Sequence, residues 1–177
     1  MTQQNTCPGC GSATGQPHSA DCSIRTLFPF YDRGDEPLVT VDQLKRDVEE
    51  VIGSGSELPY LAFVSGPAMN LRVEFNNYDA EVHRGIVSHG LMELIRQGAD
   101  HILVVAEVWF REEEIPTWHG VMILDARPDG DTLYDAEFEG NATLGPWEES
   151  RPEAGGNLSD LFRRADGEVP SYRPLRS

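Results

Sequence analysis

Lysine is almost missing from this sequence. The 177-residue chain has one, Lys45, against 13 arginines. The 14 basic residues face 30 acidic ones, for a formal net charge of −16. Such a chain has no cation cluster to displace the counterions of nucleic-acid phosphate, so a nucleic-acid partner is not expected. Long apolar runs are missing too. The longest, Ile102 to Phe110, is interrupted by Glu107 and falls far short of the ~20 residues that cross a bilayer. The first twenty residues have no basic segment followed by an apolar one, so no secretory signal is expected. These absences predict a soluble, cytoplasmic protein with no membrane contact. There is no G-x-G-x-x-G, no phosphate loop and no G-x-S-x-G. The usual sequence signs of dinucleotide, phosphoryl-transfer and hydrolase sites are therefore lacking, which does not exclude an enzyme.

What is present is enough for a core. Hydrophobic residues make up 39 % of the chain, and a domain of this size buries roughly 70 % of its unfolded surface. The charge is uneven. Residues 1–30 hold one acid and one base, residues 31–150 hold 25 acids and 8 bases, and residues 151–177 hold 4 acids and 5 bases. A strongly anionic middle between near-neutral ends has two readings: a charge that serves solubility alone, or one that attracts a basic protein surface.

The order of elements predicts an α+β fold. We expect a three-stranded or larger, mainly antiparallel sheet packed by two helices, with a small N-terminal zinc-binding arm. Residues 1–30 would be the arm and its docking segment, 31–150 an acidic α+β domain, and 151–177 a C-terminal helix and extended tail. Thr40, with Gln43 three residues on, reads as a capping box, and Leu44, Val48, Val51 and Ile52 follow at helical spacing. Residues 60–66 suit a buried strand and residues 71–75 a strand or lead-in. Asn76 or Asn77 could cap a second helix running to about Gln97, with Gly98 as its stop. Three strands, 101–110, 118–127 and 132–139, complete the body. Pro128-Asp129-Gly130 marks a hairpin between the last two. A short helix is expected near Leu158–Arg164, and Pro170 and Pro174 keep the end extended.

The N-terminal segment carries the most specific chemistry. Cys7, Cys10, His18 and Cys22 follow the spacing C-x2-C-x7-H-x3-C. Zn2+ favours four-coordinate sites of thiolate and imidazole, and Cys3His is a common structural set. The two-residue gap lets both thiolates of Cys7 and Cys10 reach one ion. His18 and Cys22, four apart, would share a face of a short helical turn. The alternatives are a Cys7–Cys10 disulfide or three unrelated thiols. An odd cysteine count and a reducing compartment weigh against the disulfide. Four protein ligands leave no open position, so the expected cofactor is one structural zinc ion.

Cys7-Pro8-Gly9-Cys10-Gly11 resembles the turn of zinc ribbons and zinc knuckles. The His18/Cys22 half resembles the second half of a Cys-Cys-His-Cys knuckle, with a longer gap before His18 than in the retroviral type. The resemblance covers residues 7–22 and implies metal binding. The knuckles' grip on single-stranded nucleic acid does not follow, because the segment between the ligands has no lysine and no aromatic residue. Over about residues 80–147, the strand ending Ala106-Glu107-Val108-Trp109 and its hairpin resemble small proteins of actinobacterial phages. That resemblance implies a phage-type accessory protein in the host cytoplasm and no particular chemistry.

In the body, Glu107 is the one charge inside an apolar strand. With the following loop centred near Glu114, Glu107 pairs with Val121 and Trp109 with His119. That register brings Glu107 close to His119, a candidate general acid and base. A structural edge contact or hydrogen bond is the alternative. His83, His89 and Glu93 lie on the second helix, but His83 and His89 point differently, so a second metal site is not expected. Asp131, Leu133, Asp135, Glu137 and Glu139 alternate along the last strand. They read as a charged sheet edge that resists edge-to-edge pairing, or as a docking stripe for a basic partner. Two functions are consistent with all this. One is a non-enzymatic, zinc-binding interaction protein whose acidic surface binds a basic protein partner. The other is a small enzyme with its site around Glu107 and His119.

Overall fold

The computed structural model describes residues 30–75, 81–112, 115–140, 142–152 and 158–167. The expected zinc arm, with Cys7, Cys10, His18 and Cys22, lies outside the described residues, as do Pro170 and Pro174. Within them the chain runs β1 (Phe30–Asp32), α1 (Val41–Gly53), β2 (Leu61–Gly66), β3 (Met69–Glu74) and α2 (Glu81–Arg96). It continues as β4 (His101–Glu112), β5 (Ile115–Arg127), β6 (Gly130–Glu137), β7 (Glu148–Ser150) and α3 (Leu161–Ala165). The strands form one sheet in the order β1-β3-β2-β4-β5-β6-β7, and each neighbouring pair is antiparallel. The fold is α+β. The seven-stranded sheet fits the expected three or more strands: those near 60–66 and 71–75 form as β2 and β3, the short helix near Leu158–Arg164 forms as α3, and β1 and β7 are the additions.

α1 begins where Thr40 accepts a hydrogen bond from the Gln43 backbone N–H at 3.2 Å. The reciprocal half of the capping box is replaced: the Gln43 side-chain amide reaches Asp47 Oδ1 instead. Leu44, Val48 and Ile52 form its buried stripe. They pack on Leu61, Leu103, Val105, Val121 and Ile123, which share one face of the sheet. On the other face, Val87, Leu91, Met92 and Leu94 of α2 and Leu161 and Phe162 of α3 meet Ala62, Val64, Ile102, Val104, Leu124 and Ala126. The period-two alternation of β4 therefore divides one strand between two cores.

Two turns hold the strand ends. Gly130 adopts φ 144° at the close of the β5–β6 hairpin, where a side chain would be strained. Gly66 sits against the turn after α2. A Cβ built there would lie 2.3 Å from the Gly98 carbonyl oxygen, so only glycine fits.

One expectation needs correction. β6 is not a sheet edge. Leu133, Tyr134 and Asp135 pair with Ser150, Glu149 and Glu148 of β7. The edge is β7, and its three residues are all exposed. A three-residue Glu-Glu-Ser strand has no alternation and poor β propensity, so backbone pairing alone defines it.

Candidate functional site

β4 and β5 form the longest pairing in the sheet, and their register places the candidate pair. Glu107 is opposite Val121 and Trp109 is opposite His119, with a register shift only beyond Phe110. Both Glu107 and His119 lie on the α1 face, near the end of the sheet where β4 outruns β2. His119 Nε2 lies 2.6 Å from Glu107 Oε1. The His119 ring also packs on Phe138, with centroids 4.4 Å apart. The two side chains are 27 % and 35 % exposed, so solvent or a ligand reaches both. A carboxylate held on an imidazole nitrogen fixes the ring's tautomer and orientation, which suits proton transfer as well as structure.

A second histidine–carboxylate pair lies at the opposite end of the same face, and the sequence reading missed it. His101 Nε2 is 2.8 Å from Asp125 Oδ1. Arg127 donates from Nε to the same oxygen at 3.0 Å and from its Nη2 to Oδ2 at 3.4 Å. The Asp125 carboxylate, buried at 8 % exposure, is thus satisfied on both oxygens. Its hydrogen bond raises the pKa of the Arg127 guanidinium, which burial alone would lower. The register that paired Glu107 with Val121 also pairs Leu103 with Asp125. Extending it two residues past Leu103 would have revealed the trio.

An acidic stretch runs through the β6–β7 end of the sheet. Residues 128–150 hold seven acids and no lysine or arginine. They span the β5–β6 turn, β6, β7 and the described residues between those two strands. Asp135 lies directly opposite Glu148, a like-charge cross-strand pair that costs stability. Burial, then Glu148, raises the Asp135 pKa. Burial also raises that of Asp131, although its carboxylate accepts the Asp160 backbone N–H at 2.9 Å. Lys45, the single lysine, is turned inward over the Tyr134 ring at 4.2 Å and near Trp147 at 5.7 Å. Trp147 in turn donates to Glu49 Oε1 at 2.8 Å.

Glu93 of α2 is buried and lies 3.6 Å from Arg96. The side chain of His83 lies outside the described residues. Among the described residues, no group of three or more His, Cys, Asp or Glu side chains could hold a metal ion. Nor, among them, is any helix long and apolar enough to cross a membrane. No family model, curated protein or solved structure matches the chain.

Proposed function

We propose that this is a zinc-binding interaction protein whose acidic α+β body docks a basic protein surface. The observation that carries the reading is the β6–β7 side of the sheet. The seven acids of residues 128–150 have no base between them in the sequence, and Asp135 stands opposite Glu148 at a cost in stability. A partner presenting lysine or arginine would relieve that repulsion and be drawn in by it.

The arm supplies the zinc half of the proposal. Three thiols and an imidazole at Cys7, Cys10, Cys22 and His18 are a donor set suited to Zn2+. Bound zinc would fold an arm too polar to build a core of its own. The test is zinc content per chain in protein purified without added metal, beside a Cys22→Ser variant. One zinc per chain, lost in the variant, is expected. No zinc in freshly reduced protein contradicts this half.

The second reading, a small acid–base enzyme, is favoured by the 2.6 Å contact between Glu107 and His119. Glu107→Gln separates the two. An interaction protein keeps partner binding, whereas an enzyme loses activity while staying folded.

A further inference from the structure

Among the described residues, β4 is unpaired on its β2 side beyond Val105. β2 pairs with it only from His101 to Val105, while β4 runs on to Glu112. The reason lies in Pro59. The Tyr60 carbonyl accepts the Phe75 N–H at 2.9 Å, so the Tyr60 backbone faces β3. By the strand period of two, Pro59 and Leu61 face β4. Proline has no N–H to give, and the ladder stops there. Val105 is paired with Leu61, so the backbone groups of Glu107 and Trp109 face the same side. Among the described residues, no strand lies beside them there. The corresponding stretch of β5 contains Pro116 and is the poorer template.

We propose that this edge of β4 receives an extended, basic peptide segment of a partner as an added strand. The proposal rests on the acidic-docking reading above and names its mode. The open stretch carries Glu107 and Glu112 against the single base Arg111, and it belongs to a chain of formal net charge −16. That charge repels a second copy of the same edge and favours a Lys- or Arg-bearing strand. An added strand would lie about 14 Å from β6, three strand spacings away. One basic partner could therefore engage both the open edge and the acidic side.

The test uses the full chain and a fluorescent ten-residue peptide of alternating Lys and Val. A second peptide of identical sequence is N-methylated at two adjacent central residues, so both its edges lose an N–H while its charge is kept. The expected result is saturable binding of the first peptide and at least tenfold weaker binding of the second. Trp109→Pro, which removes an edge-facing N–H, should reduce binding as strongly, while Trp109→Val keeps it. Circular dichroism confirms that both variants fold. Equal binding of the two peptides overturns strand addition but leaves acidic docking intact. Failure of both peptides to bind overturns both. A concentration-dependent dimer abolished by Trp109→Pro would assign the edge to self-pairing and overturn the proposal.

Discussion

Asp125 is held by His101 at 2.8 Å and by Arg127 at 3.0 Å, at one end of the sheet face that α1 covers. Glu107 and His119 make the other histidine–carboxylate pair at the far end of that face. The two pairs share a chemistry and differ in burial, and burial decides what each contributes. Asp125 is 8 % exposed and anchors two side chains from two strands. Asp125→Ala leaves His101 and Arg127 without their acceptor and should cost about 2–3 kcal/mol. Urea unfolding measures it.

The more open pair should matter little to stability. Exposed ion pairs contribute about 0–1 kcal/mol. Glu107→Gln should unfold within about 1 kcal/mol of the parent while keeping partner binding within threefold. A loss as large as that of Asp125→Ala would assign the pair a structural role.

Gly66 tests the packing of the turns. A methyl group at this position meets the Gly98 carbonyl oxygen, a backbone atom that cannot rotate away. Gly66→Ala should cost about 3 kcal/mol, at the upper end of ordinary overpacking. An unchanged thermal midpoint would show that the two turns are not in contact.

Asp135 predicts a stability that falls as pH rises. Its folded-state pKa is raised by burial and Glu148, so the folded chain holds its proton more tightly than the unfolded one. The cost is absent below the ordinary aspartate pKa and grows as pH climbs through the raised value. Asp135→Asn should therefore stabilise the protein at neutral pH, by about 0.5 kcal/mol for a relieved cross-strand pair. It should have little effect well below the aspartate range. Denaturation curves across the acid range check the sign.

Much of the body was legible because local chemistry and tertiary structure agree. Thr40 caps the helix it announces, and Pro128-Asp129-Gly130 turns the chain where it should. The loop near Glu114 set a register that holds from Ile102 to Phe110. Legibility ended where pairing alone makes the structure. Phe30–Asp32 and Glu148–Ser150 are strands of three residues, too short for any periodicity. Without β7 in view, β6 looked like the edge. The His101–Asp125–Arg127 trio was within reach of the same register, but its members read individually as strand-end polar residues.

The central claim is that the acidic side of the sheet, and not net charge alone, recruits a basic partner. Cytochrome c, a folded probe with a lysine-rich face, can be titrated against three forms of the full chain at fixed salt. These are the parent, Glu148→Lys/Glu149→Lys on β7, and Asp47→Lys/Glu50→Lys on the exposed side of α1. Both double variants change the net charge equally. The account predicts at least a tenfold loss of affinity for the β7 variant and less than threefold for the α1 variant. Equal losses in both would contradict it and leave the acidity as a solubilising charge.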